Sequence, residues 1–317
     1  MRISIKNIQM LKLLEGVLSF LYASFYFVVR LFIVKKTISG RTCKYYFSVC
    51  SIFKDEAPFL KEFIEYHYIL GVEHIYLYNN NSSDNYLEVL QPYLDNGFVT
   101  LVDWEKNFAQ AEAYKNCYDN AKDETFWLAF IDIDEFIVPY KETDVKDFIK
   151  RFEEFPVVTL YWKIFGTGGI IQRDPEKLVT EQFTVSWARL DGIGKCILNT
   201  SPCFYFPKIG VHRTIAMSKW CNRTIKIPPV TEWKKFIFLP QIYEAPMKNT
   251  IQLNHYWSKA FEDFSKKINK GDVASEENIK LRQKEEFFYS HESRNIVDDK
   301  TVFRFLIKLK IRMSSMF

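Results

Sequence analysis

Between Tyr45 and Asp134, apolar runs alternate with helix-like segments, and this alternation constrains the fold more than any other feature of the chain. "YYFSVCSIF" (45–53) predicts a strand, and "EAPFLKEFIEYHYIL" (56–70) a helix with Pro58 near its start and Gly71 just past its end. "HIYLYN" (74–79) reads as a second strand. "DNYLEVLQPYL" (84–94) reads as a helix that Asp84 can cap and Pro92 disturbs, and "FVTLVDW" (98–104) as a third strand. Residues 107–122 predict another helix, and "FWLAFIDID" (126–134) a fourth strand. Such spacing implies βαβ units in an α/β fold, with a Rossmann-like, mostly parallel sheet covered on both faces. Ligands of such sheets sit beyond the carboxyl ends of the strands.

The fourth of these runs ends in "AFIDIDEFIVP" (129–139), which sets Asp132, Asp134 and Glu135 into apolar surroundings. Ionised carboxylates buried without partners cost several kcal/mol each, roughly, so a cation or set of donors is expected. On strand alternation Asp132 and Asp134 project to one side and Glu135 to the other. Two acids on one side suit a hard divalent cation such as Mn²⁺ or Mg²⁺, which also holds phosphate oxygens. The chain has neither GxxxxGK[ST] nor GxGxxG, so phosphates would be held by metal and side chains. Acidic runs at strand ends also occur without any ligand.

With 317 residues, 48% of them hydrophobic, the chain can bury one large core or two smaller ones. A net charge of only +4 gives no broad basic field, which argues against nucleic acid as a partner. The cysteines Cys43, Cys50, Cys117, Cys196, Cys203 and Cys221 form no CxxC pair and no zinc-like cluster, and read as thiols in a reducing compartment.

Residues 16–34, "GVLSFLYASFYFVVRLFIV", hold one charge, Arg30, and are long enough as a helix to cross a bilayer. A buried core helix is the alternative, and spanning and in-plane membrane helices stay open. The basic residues after this segment favour a cytoplasmic main domain. At the other end, "TVFRFLIKLKIRMSSMF" forms a basic amphipathic helix suited either to an anionic membrane surface or to its own domain. The organisation expected is therefore a membrane-associating segment (1–40), a globular domain (41–290) and a C-terminal amphipathic helix (291–317).

"CSIFKDEAPFLKEFIEYHYILGVEHIYLYNNNSSDN", "FIDIDEFIVP", "WKIFGTGG" and "NHYWSKAFEDFSKKINKGD", in that order, resemble the family 92 glycosyltransferases, a group related to family 2. The resemblance runs from about Cys50 to Asp272. It implies a GT-A fold and an inverting, metal-dependent transfer of a sugar, galactose favoured, from a UDP-sugar to a glycan or glycolipid acceptor.

Carried onto this chain, Asp132 and Asp134 match the family's DXD pair, with His255 as a further metal ligand and His212 as a second histidine of interest. Asp55, Glu56, Asn80 and Asp84 match positions near the nucleoside, with Asp55 standing where Asn is usual. Lys195 and Lys259 match basic positions that could face the diphosphate; a helical segment would put Lys259 beside His255. Trp162, Phe165 and the glycines Gly166, Gly168 and Gly169 offer an acceptor-stacking loop, or simple core packing. The catalytic base is sought among Glu181, Asp174 and Glu135. Two other readings use the same acids: a metal-dependent nucleotidyltransferase or phosphohydrolase, and a non-catalytic membrane-bound protein that binds nucleotide sugars.

Overall fold

The computed structural model describes residues 5–38, 41–220, 223–238, 248–270 and 285–315. Cys221, Asn222 and the end of the last motif at Gly271 and Asp272 lie outside them. The first half is the predicted βα alternation: α1 (Ile5–Ile38), β1 (Tyr45–Phe53), α2 (Ala57–Ile69), β2 (His74–Asn79), α3 (Tyr86–Asp95), β3 (Val99–Asp103), α4 (Gln110–Ala121) and β4 (Thr125–Phe130). The second half holds β5 (Glu135–Pro139), α5 (Val145–Ile149), β6 (Val157–Ile164), α6 (Val179–Gln182), β7 (Val185–Trp187), β8 (Gly194–Asn199), β9 (Ala216–Trp220), β10 (Arg223–Ile227) and β11 (Ile251–His255). It closes with α7 (Phe261–Lys270), α8 (Glu285–Glu292), β12 (Asn295–Asp298) and α9 (Phe303–Ser315).

Among the described residues the main sheet has eight strands in the order β3-β2-β1-β4-β8-β6-β11-β5. Its first half is parallel throughout, as β1 pairs in parallel with both β2 and β4, and β2 with β3. The second half is mixed: β8 runs antiparallel to β4 and β6, and β11 is parallel to β6 but antiparallel to β5. The helical crossovers end at β4, and the parallel pairing of successive strands ends with them. β4 is buried along its whole length, as its unbroken apolar run requires of a strand covered on both faces. Gly71, past the end of α2, has φ +94, and a Cβ there would lie 2.3 Å from Asp144 Oδ1, so the chain turn needs glycine.

α9 packs against α2 and α6, burying Val302, Phe305 and Leu309. Arg312 pairs with the buried Glu65, and Arg304 donates to the carbonyl oxygens of Pro139 and Lys141. Arg304 and Arg312 of the C-terminal basic stripe therefore bind the domain itself, while Ile307, Lys308 and Ile311 are exposed. The expected boundary at residue 290 falls inside α8.

Candidate functional site

β4 ends at Phe130, four residues short of the predicted strand, and Asp132 to Glu135 form a turn closed by the Glu135 N–H donating to the Asp132 carbonyl (3.0 Å). The strand alternation expected to separate Glu135 from the two aspartates does not apply. Glu135 Oε2 accepts the Asp132 N–H at 3.0 Å and Oε1 accepts Trp162 Nε1–H at 2.8 Å. The carboxylate considered among the candidate bases thus holds the shape of the acid turn.

Two neighbouring strands supply the surroundings. Ala129 on β4 faces Ile197 on β8, so running two residues further along each strand brings the turn beside Lys195. β11 lies against β5 with His255 opposite Glu135. α4 adds Gln110 and Tyr114, one helical turn apart, whose Nε2 and OH donate to Asp132 Oδ1 at 2.8 and 3.0 Å.

The buried Lys195 pairs with the half-buried Asp132, Nζ to Oδ2 2.8 Å, with Glu135 Oε1 3.9 Å from the same ammonium. Lys195 is completely buried, and its charge is committed to the acids. Burial works against ionisation of Asp132, but Lys195 outweighs it and holds the carboxyl below its usual range. Burial, with Asp132 and Asp134 as neighbours, raises Glu135 well above the usual range despite Lys195. One ammonium thus neutralises one carboxylate, the nearer one.

Asp134 has a different circle of partners. Its Oδ2 accepts from Lys267 Nζ at 2.6 Å and lies 3.9 Å from Lys259 Nζ, while Oδ1 is 3.6 Å from His255 Nε2. Burial opposes its charge, yet the ammonium groups, Lys267 before Lys259, hold the carboxyl well below normal. Burial keeps His255 neutral by lowering its pKa, against the pull of Asp134. Its Nδ1 is buried and has no hydrogen-bond partner among the described residues. The Trp162 ring lies 4.5 Å from that of His255 and 5.0 Å from that of His212, which places Trp162 at the site.

Lys259 reaches Asp134 by a route other than the expected helix. It sits in a turn at φ +51, its ammonium 4.3 Å from the centroid of the Phe59 ring. Lys267, two turns into α7, was quoted in the last sequence motif but not singled out; nothing in a lysine pair on a polar helix marks which one faces inward. Gln110 and Tyr114 were missed for the same reason.

Other predicted residues have different work. Asp55 adopts φ +51, a left-handed conformation that Asn and Asp tolerate, which explains both residue types there. Its Oδ1 accepts from Ser83 N (2.7 Å), and Asp84 Oδ2 accepts from Ala57 N (2.8 Å) at the start of α2. Asp84 therefore caps α2 and not α3, whose N-cap is Asn85. Asn80 donates to the carbonyls of Trp104 and Lys106, and Glu56 stands at the N-cap of α2. This network sets the two loops flanking the carboxyl ends of β1 and β2.

Phe165 is buried and packs on Tyr256, so it belongs to the core rather than to an acceptor surface. A Cβ on Gly166 would lie 1.7 Å from Asn295 Nδ2, and Thr167 is bound by Glu292, so this loop closes on the C-terminal segment. Glu181 pairs with Lys310 on α9, while Asp174 caps its own turn at Glu176 N and pairs with Lys177. Glu181 is thereby tied to the C-terminal helix and Asp174 to its own turn.

The family model described as glycosyltransferase family 92 matches residues 44–285. The chain belongs to glycosyltransferase family 92. A family 92 protein of Ricinus communis is 39% identical over 94 residues, covering 29% of this chain and 16% of the relative. A family 92 protein of Oryza sativa subsp. japonica is 34% identical over 141 residues, 43% of this chain and 24% of the relative. The matched stretches thus span a quarter or less of these relatives' own length. Among solved structures, S. aureus TarS 1–349 in complex with UDP shares 17% identity over 49% of this chain and 47% of that one, with a TM-score of 0.34. A putative glucose-1-phosphate thymidylyltransferase from Bacillus anthracis shares 9% over 49% of this chain and 72% of that one, at a TM-score of 0.30. The expected family 92 membership and α/β architecture are both present.

Proposed function

We propose that this family 92 protein is an inverting glycosyltransferase that moves a sugar, galactose favoured, from a UDP-sugar to a cell-surface glycan or glycolipid. It works at a membrane surface. The observation that carries the reading is the Asp132–Glu135 turn at the carboxyl end of β4, with Lys195, His255, Lys259 and Lys267 gathered around it. Negative charge builds on a departing diphosphate as the glycosidic bond breaks, and preorganised cations lower that cost most in a water-poor site. Lys259 and Lys267 bring such charge to Asp134, and Lys195 keeps Asp132 ionised.

The residues present also fit a divalent cation. Asp134 is ionised and His255 neutral, the protonation states that metal ligation requires, and the two approach to 3.6 Å. Mn²⁺ and Mg²⁺ are commonly held by one or two protein ligands together with phosphate oxygens and water, which is the share Asp134 and His255 could supply. Asp134 and His255 would hold the ion, with Asp132 at its edge, and the ion would supply Lewis-acid stabilisation of the leaving diphosphate. The Lys267–Asp134 pair favours a second reading, in which lysines alone carry that charge. A UDP-release screen of nucleotide sugars, with Mn²⁺ and with EDTA, tests class, donor and metal together; no release from any donor would reject the reading.

A further inference from the structure

α1 has two unlike faces. On one, Glu15, Ser19, Tyr26 and Val29 are buried against the domain. Glu15 Oε1 accepts the Phe238 N–H (2.7 Å), Tyr22 OH donates to the Lys226 carbonyl (2.6 Å) and Tyr26 OH to that of Glu154 (2.6 Å); Arg30 pairs with the Glu154 carboxylate. The other face exposes Leu13, Val17, Phe20, Phe27 and Leu31, at helical spacings of three, four and seven residues. That stripe runs about 27 Å along the helix at 1.5 Å per residue. An apolar strip of this extent is far beyond the scattered hydrophobic residues of an ordinary soluble surface.

The contacts on the buried face decide how the strip can meet a bilayer. The helix window apolar enough to span, Gln9–Phe32, contains Glu15, Tyr22, Tyr26 and Arg30, all tied to the globular domain. Spanning would strip these groups from the domain and carry Glu15 and Arg30 into hydrocarbon. Lying in the interface breaks none of them.

Charge identifies the surface. The β9–β10 hairpin touches α1 through the Trp220–Phe25 ring pair (5.5 Å) and the Tyr22–Lys226 hydrogen bond. It carries exposed Lys219, Arg223 and Lys226, and the chain has no Asp or Glu from Gly192 to Thr231. The two acids that meet α1 in these contacts, its own Glu15 and Glu154, bond to the Phe238 N–H and to Arg30, on the face opposite the strip. Two copies meeting on this face would oppose like-charged hairpins, whereas an anionic lipid surface complements both the strip and its basic flank.

We propose that α1 docks the protein in the plane of an anionic membrane, apolar face down, without crossing it. This deepens the membrane association proposed above, and it undercuts the positive-inside reading, because both ends of α1 then share one side. In sealed membrane vesicles from expressing cells, Gln9→Cys and Thr42→Cys, in a background with Cys43, Cys203 and Cys221 replaced by Ser, should react with a membrane-impermeant maleimide from the same side. Vesicles of phosphatidylcholine and phosphatidylglycerol in equal parts should sediment the full chain, and phosphatidylcholine alone should do so poorly. Phe20→Glu with Leu31→Glu should cut sedimentation about tenfold or more and leave the thermal transition unchanged. Labelling from opposite sides would overturn in-plane docking while keeping membrane association. Failure of the wild type to sediment would overturn both. Equal sedimentation with the neutral lipid would overturn the anionic assignment, and a double variant that loses dimerisation but still sediments would assign the face to a second copy.

Discussion

Lys195 Nζ lies 2.8 Å from Asp132 Oδ2 and 3.9 Å from Glu135 Oε1, so a single buried ammonium is shared by two carboxylates of one turn. Burial would lower the Lys195 pKa, but Asp132 above all outweighs it and raises it above the usual lysine range. Lys195→Met removes the cation and leaves the acids. Breaking one side of a fully buried pair costs about 3–5 kcal/mol, and because 31% of the Asp132 side chain meets solvent, urea unfolding at neutral pH should show a smaller loss of about 2–3 kcal/mol. A loss under about 1 kcal/mol, the level of an exposed pair, would contradict this role.

Glu135 is expected to act on the turn and not on the acceptor. Glu135→Ala leaves the Asp132 N–H and the Trp162 indole N–H without their acceptor, at about 1–3 kcal/mol for each group that stays buried and unsatisfied. Denaturant unfolding should register this loss, and the apparent affinity for the nucleotide should fall along with turnover as Asp132 loses its position. Unchanged stability with loss of turnover alone would instead point to direct chemistry at Glu135.

Lys267→Ala separates the two readings of the cation. If a divalent ion binds at Asp134, removing the competing ammonium should lower the Mn²⁺ concentration for half-maximal UDP release. If lysines carry the diphosphate charge, the same variant should lose turnover at every metal concentration, and EDTA should not affect the wild type.

A pH effect is expected far from this turn. Glu232 accepts the Thr250 N–H, and burial pushes its carboxyl up to about 7. A carboxyl raised on folding favours its neutral form in the native state. Its stabilising contribution is therefore complete below the unfolded carboxylate range and is lost as pH rises through about 7. The stability difference between wild type and Glu232→Gln should shift against the wild type from pH 5 to pH 8, by about 1.4 kcal/mol for each unit by which folding raises the carboxyl. A difference independent of pH would refute the assignment.

The βα half of the fold was legible because each strand is an apolar run bounded by turn residues, as at Gly71, and each helix follows at short range. The mixed half was not. β11 enters between β5 and β6 from more than a hundred residues away in sequence on the β5 side, and no local pattern specifies that pairing. The same distinction holds at the site. Asp132 and Asp134 stood out as charges in an apolar run, whereas Gln110, Tyr114 and Lys267 converge only through the tertiary fold. Asp84 shows the limit of local reading: adjacent to one helix, it caps another.

The role given to the acid turn is tested most directly by UDP release from Asp134→Asn, with a nucleotide sugar that the wild type turns over and saturating Mn²⁺. Asn keeps the size of Asp but removes the charge that meets Lys267, Lys259 and His255. Release should fall to the background rate while the chain stays folded by circular dichroism. Release at the wild-type rate from the folded variant would contradict the assignment of this turn as the donor site.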